Sequence, residues 1–186
     1  MLLKLLVLDS ISIISVYESK IYAVLKMTEF ERELVKSFNT FFAENGIKGI
    51  AFRLKQHRFS HQYLDIVVDS LHPDYYLGIE CKSISTDKGA KALYFTQHFT
   101  TDKNGSHQVE RMSDYLSLSG RKGFLAIELR QGVGRGRNAY AIPWNIVTER
   151  FDEGGNGFKV EEIMEFPDIK RSGGLYRIET KKWVNE

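Results

Sequence analysis

The sequence holds one cysteine, Cys81, in 186 residues. A single thiol forms no disulfide within the chain and offers no cysteine cluster for zinc. It suits a reducing compartment, and the expected location is the cytoplasm. Excess charge of either sign is also missing: 26 Lys and Arg stand against 24 Asp and Glu, a formal net charge of +2. Composition alone therefore does not announce nucleic-acid binding, and any basic surface must come from local clustering. No apolar run approaches the length of a membrane-spanning helix, so no membrane partner is expected. Repeats and low-complexity linkers are absent, and no Ser-His-Asp or Cys-His arrangement is readable.

What is present describes a globular domain, with 42% hydrophobic and 27% charged residues. That length buries a real core. The first 26 residues stand apart. They open like a short signal-peptide core, but Asp9 follows at once and no small-residue cleavage site is clear. They read as an extension ahead of a natural start at Met27, leaving residues 27–186 as a single domain.

From Thr28 the pattern turns helical. TEFERELVKSFNTFFAENG has a capping-box signature, Thr28 with Glu31, and stops at Asn45-Gly46. Val35, Phe38 and Phe42 form its apolar stripe, which Glu31 shares, while Glu33 shares a solvent-like face with Lys36, Ser37 and Thr40. After a short apolar stretch, IKGIAF, comes a basic loop, RLKQHRFSHQ. LDIVVDS (64–70) and YYLGIECKSI (75–84) read as two strands around a turn at Pro73 and Asp74. Residues 83–106 read as a long, mostly polar connection. HQVERMSDYLSLSG reads as a helix with Val109, Met112 and Leu116 inward and Gly120 as its stop. FLAIELR (124–130) and NAYAIPWNIV (138–147) read as strands, and LYRIET near the end as a further one. The order implies a mixed α/β domain with helices packed on a central sheet.

Glu80 and Lys82 share one face of their strand, roughly 6.6 Å apart at about 3.3 Å per residue. Asp74 lies too far away to join them, on the order of 20 Å along an extended chain. Folding the hairpin brings Asp65 opposite the Glu80–Lys82 end, while Asp69 stays near the turn. Two facing carboxylates repel and lose hydration unless a cation sits between them, and oxygen-only ligands suit Mg²⁺ or Mn²⁺. Lys82 can then contact a scissile phosphate or orient the attacking water. An exposed salt bridge on a sheet face is the plainer alternative. Glu31 adds an inward acid beside that strand, although capping alone explains its residue type.

The segments FERELVKSF (30–38), LDIVV (64–68), GIECKS (78–83) and QVERMSDYLSLSGRKGFLAIEL (108–129) together resemble the PD-(D/E)xK nuclease superfamily. Within it they resemble the archaeal-type Holliday junction resolvases. The resemblance implies a restriction-endonuclease-like core and a metal-dependent endodeoxyribonuclease that nicks four-way DNA junctions as a homodimer. It matches Glu31 to the helix glutamate, Asp65 to the hairpin aspartate, and Glu80 and Lys82 to the ExK pair. Gln108 resembles a helix glutamine placed near the site in many members; an exposed helix-start residue is its other reading. Ser60 stands where the family carries a loop serine. The loop before Asp65 and the connection after Ser83 are longer than in these resolvases, which leaves other DNA substrates open. A DNA-binding protein on the same fold that does not cleave is the remaining alternative.

Arg53, Lys55 and Arg58, with His57 and His61, cluster before the site and can track a DNA backbone by neutralising phosphates. Arg135 and Arg137, in the turn QGVGRGR, are further phosphate-contact candidates. That turn lacks the spacing of a dinucleotide or phosphate-loop fingerprint. His57 and His61 lack a third ligand for zinc.

Overall fold

The computed structural model describes residues 29–54 and 63–184. The expected N-terminal extension, Thr28, and the loop residues Lys55, His57, Arg58, Ser60 and His61 lie outside the described residues.

Helix α1 (29–44) buries Phe30, Leu34, Phe38 and Phe42, a strict four-residue spacing that lays one stripe on the sheet. Val35, expected in that stripe, is only partly buried. Ser37 and Glu33, expected to face solvent, do not. Ser37 is buried and accepts a 2.8 Å hydrogen bond from Tyr176 N, and Glu33 pairs with Arg171 at 2.9 Å. The C-terminal tail folds over that side of the helix, a contact no local pattern announces.

Strand β1 (Gly49–Arg53) follows, then β2 (Ile66–Ser70) and β3 (Leu77–Ser85), with a 3-10 turn at Pro73–Tyr75 between the last two. The connection read as mostly polar carries β4 (Ala92–Tyr94) and α2 (Phe95–His98). Its Leu93, Phe95 and Phe99 are buried among polar neighbours that hid them. Helix α3 (Gln108–Ser119) buries Val109, Met112 and Leu116 and ends at Gly120 with φ 68°, as read. Strands β5 (Lys122–Arg130) and β6 (Arg137–Pro143) follow.

The reading of a strand through Val147 needs correction, because β6 ends at Pro143 and helix α4 (Trp144–Asp152) begins at once. Proline has no N–H for a further ladder bond, and the helix needs none at its first turn. The rest is β7 (Gly157–Lys159), α5 (Val160–Ile163), the hairpin β8 (Arg171–Ser172) and β9 (Leu175–Tyr176), and α6 (Thr180–Trp183). Of the expected LYRIET strand, only Leu175 and Tyr176 pair.

The main sheet has the order β1-β2-β3-β5-β6. Only β3 and β5 are parallel; the other neighbours are antiparallel. One core lies between the sheet and α1, with α6 and the tail; the other lies between the sheet and α3 and α4. This is the mixed α/β architecture expected, a central mixed sheet flanked by helices. No helix among the described residues is long and apolar enough to cross a membrane.

Candidate active site

The β2–β3 register is Ile66↔Ile79, Val67↔Gly78 and Val68↔Leu77, so Asp65 meets Glu80 at the next step. The ladder ends there. Asp65 N still donates to Ile79 O at 3.1 Å, but the following β3 donor, Cys81 N, is taken by the Asp65 carboxylate at 2.8 Å. A side chain thus replaces the backbone partner, which fixes one aspartate oxygen at the mouth of the sheet. Asp69 pairs instead with Arg121 at 2.7 Å. Asp74 serves the turn, within 3.6 Å of both Lys122 and Lys181.

Glu80 is 1% exposed and two donors converge on one of its oxygens. Lys82 Nζ donates to Oε1 at 2.6 Å and Gln108 Nε2 donates to the same atom at 2.8 Å. Glu80 Oε2 is buried and, among the described residues, has no hydrogen-bond partner. Gln108 is itself held: its Oε1 accepts from Thr100 N at 3.2 Å, and its backbone N donates to Thr100 O at 2.8 Å. Gln108 is therefore buried at the site, not an exposed helix start.

Glycines set how deeply α3 sits. Gly78 and Gly123 are paired neighbours on β3 and β5. A Cβ on Gly78 would lie 2.7 Å from Leu116 Cδ2, and one on Gly123 would overlap the same leucine and stand 2.7 Å from Trp144 Cβ. Leu116 occupies the room those glycines leave. Its close approach seats the helix that carries Gln108 to Glu80.

Lys82 lies beneath an aromatic roof, with Nζ 4.7 Å from the centroid of the buried Phe99 ring. Phe99 and Thr100 are thus adjacent residues that each steer one donor of Glu80 Oε1. Sequence reading missed both. The Phe95–Phe99 spacing within an otherwise polar stretch was the available signal.

The electrostatics follow from burial. Desolvation, then the charge of Asp65, pushes the Glu80 carboxyl up to about 8 against the opposing pull of Lys82. Burial also raises Asp65, opposed by Lys82 and by the bond from Cys81 N. Burial alone would lower Lys82, but Glu80 and Asp65 more than offset it and its ammonium is held above the usual lysine range. Glu31 is raised by burial and then by Asp65, opposed by Arg53. Its Oε2 accepts from Arg53 Nε at 2.6 Å and lies 2.5 Å from Nη2.

The structure therefore brings Asp65, Glu80, Lys82 and Gln108 together. It sets Glu31 within their electrostatic reach but paired with Arg53. Among the described residues, no group of three His, Cys, Asp or Glu side chains stands ready to hold a metal ion. Two facing oxygen donors, both with raised proton affinity and one oxygen left without a partner, nevertheless fit a hard divalent cation. An ion there would offset the burial of the Glu80 charge and, after it, the repulsion by Asp65, the two causes that push Glu80 up.

The proposed phosphate contacts fare unevenly. Arg137 is engaged by Glu29 at 3.0 Å, with Glu33 at 3.8 Å and Glu128 at 3.7 Å. Arg53 is taken up by Glu31, whereas Arg135 is exposed on its turn. Sequence reading also missed Glu128, which is fully buried and accepts from Arg130 at 2.7 Å and from Tyr176 OH at 3.2 Å. Cys81 faces the core beneath α1, and burial pushes its thiol well up.

No protein-family model matches the chain, and no curated protein matches it. Among solved structures it is similar to Hjc of Archaeoglobus fulgidus, a Holliday junction resolvase from an archaeal hyperthermophile. The identity is 15% and the TM-score 0.35, over 80% of this chain and 89% of that one. At that identity and score the likeness carries no argument about chemistry, which rests on the site's own geometry.

Proposed function

We propose that the protein is a metal-dependent endodeoxyribonuclease that hydrolyses a phosphodiester bond at the Asp65–Glu80–Lys82 site. The observation that carries this reading is the meeting of Asp65 and Glu80 at the end of the β2–β3 ladder, with Lys82 on Glu80 Oε1. In hydrolysis a water oxygen bonds to phosphorus, the bond to one sugar oxygen breaks, and that oxygen takes up a proton. Asp65 and Glu80 would hold Mg²⁺ or Mn²⁺, with Glu31 as a third carboxylate once Arg53 releases it. The chemistry such an ion supplies is polarisation of a phosphoryl oxygen and a lowered pKa for its bound water.

The chain's own residues do the rest. Gln108, anchored by Thr100, and Lys82 both hold Glu80 Oε1, which leaves Oε2 as the oxygen that would meet an ion. Lys82 stays protonated and can donate to a non-bridging phosphate oxygen as charge builds there. The Phe99 ring limits where its ammonium can swing. Cys81 N holds one oxygen of the Asp65 carboxylate in place.

The favoured substrate is branched DNA, in particular a four-way junction cut by a homodimer in the cytoplasm. This finer reading rests on the family resemblance of the sequence segments. Incubation of the protein with four-way junctions and plain duplexes, with Mg²⁺ or with EDTA, tests it. Metal-dependent nicking that prefers the junction is expected, whereas equal cutting of both would favour another DNA substrate. Tight DNA binding with no uptake of Mn²⁺ would favour a non-cleaving DNA-binding protein.

A further inference from the structure

We propose that Tyr63, stacked on Tyr115, is a docking platform for an unpaired nucleobase of the bound nucleic acid. The inference rests on the nuclease reading above and extends it to what part of the substrate is recognised.

Tyr63 lies two residues before Asp65. Its ring stacks on that of Tyr115 from α3, with centroids 5.4 Å apart and planes 21° from parallel. Tyr63 nevertheless remains 46% exposed. One face of the ring is thus backed by another aromatic while nearly half of the residue's surface stays accessible. Backing of this kind fixes the plane of the ring before anything binds, which lowers the cost of stacking a further flat group on it.

The residue between Tyr63 and Asp65 fixes the distance to the site. Leu64 is fully buried and packs where a Cβ on Gly78 would lie, 2.8 Å from its Cδ2. The short link from platform to carboxylate is therefore pinned to the sheet. On the α3 side, Tyr115 follows Gln108 by seven residues, about 10 Å along a helix. A nucleic-acid strand advances about 3.4 Å per stacked nucleotide, so a phosphate at the Glu80–Lys82 site places the platform roughly two to three nucleotides away.

The occupant this suits is a single base and not a base pair. Inside a duplex both faces of each base are already covered by its neighbours. A ring face becomes available only where the strand is unpaired, at a branch, a flap or a single-stranded end. Stacking on tyrosine is tolerant of base identity because every base has a π-face. The platform would therefore select for strand structure and not for sequence.

The test measures binding without cleavage, in EDTA. The probes are a fully paired duplex and the same duplex with a short unpaired segment carrying 2-aminopurine. Fluorescence anisotropy gives affinity, and 2-aminopurine quenching reports stacking. The expected result is that Tyr63→Ala weakens binding of the unpaired probe by roughly 5- to 150-fold, the range for loss of one base–aromatic stack. It should abolish the quenching and leave duplex affinity within about twofold. Tyr63→Phe, which keeps the ring, should behave as the wild type does. Equal weakening of both probes, or no change in either, would overturn the platform and leave the nuclease reading intact. Failure of the wild-type protein to bind either DNA, in EDTA and again with Ca²⁺ supplied, would overturn both. A wild-type dimer that Tyr63→Ala dissociates, with unpaired-probe affinity unchanged, would make the ring a self-association contact and overturn the platform.

Discussion

Gln108 donates to Glu80 Oε1 at 2.8 Å, joining the first residue of α3 to the middle of β3 across 28 positions of sequence. Lys82 uses the same oxygen, so the carboxylate is held on one side and its other oxygen has no hydrogen-bond partner among the described residues. The orientation of Glu80 is thus set by a residue outside the acid–lysine motif.

Replacing Gln108 tests that orientation. Gln108→Leu removes the donor and leaves Thr100 N without its side-chain acceptor. We expect a stability loss of about 1–3 kcal/mol, the cost of unsatisfied buried polar groups. Cleavage should fall by about tenfold or more even where the protein is fully folded, as checked by single-turnover assays below the melting temperature.

Lys82 is expected to be needed for chemistry and not for DNA binding. Lys82→Ala should lower the cleavage rate by roughly 10²–10³, the usual cost of removing a preorganised donor to developing charge. Arginine should not restore it, because its planar fork cannot occupy the space of a compact ammonium beneath Phe99. Single-turnover rates, with DNA affinity measured separately in EDTA, check both statements.

The raised carboxyl of Glu80 makes stability depend on pH with a definite sign. A carboxyl whose folded pKa lies near 8 binds its proton more tightly in the folded state than in the unfolded one, where the value is 4.5. Its stabilising contribution is full below about 4.5 and is lost as pH rises through about 8. The metal-free protein should therefore be more stable at pH 6 than at pH 8.5 with respect to this site; Glu80→Gln should remove that difference, and Asp65→Asn, which leaves the larger effect of burial in place, should only reduce it. Urea midpoints in EDTA across that range measure it. Excess Mg²⁺ should raise the pH 8.5 midpoint of the wild type alone.

Much of this site was legible because strand periodicity is strict. Alternation put Glu80 with Lys82, and counting back from Pro73 and Asp74 put Asp65 opposite them. The strand–helix switch at Pro143 was misread because Ala, Ile, Trp and Val fit either state, and only the missing N–H marks the boundary. Glu33 and Ser37 were misjudged because their partners, Arg171 and Tyr176, come from the distant tail, which also helps cover Glu128 through Tyr176. Periodicity along one element cannot announce a cover supplied by another. The roof over Lys82 was hidden for a related reason: Phe99 matters through the loop that brings it back to β3.

The glycine pair beneath α3 links the fold to the chemistry. Gly123→Ala would push a methyl group into Leu116 and Trp144, so we expect a loss of about 1–3 kcal/mol from overpacking. Because Leu116 anchors the helix that delivers Gln108, cleavage by the folded variant should also fall. Gly120→Ala, at a position whose Cβ meets nothing within 4 Å, would cost stability through its φ of 68° and is the control for backbone strain alone.

Titration of the metal-free protein with Mn²⁺, followed by calorimetry or by loss of the free-ion EPR signal, addresses the pair of carboxylates most directly. Wild-type protein should take up the ion, and both Asp65→Asn and Glu80→Gln should abolish that uptake while remaining folded. A wild-type chain that takes up no Mn²⁺ with DNA present or absent, or variants that bind it undiminished, would contradict the account.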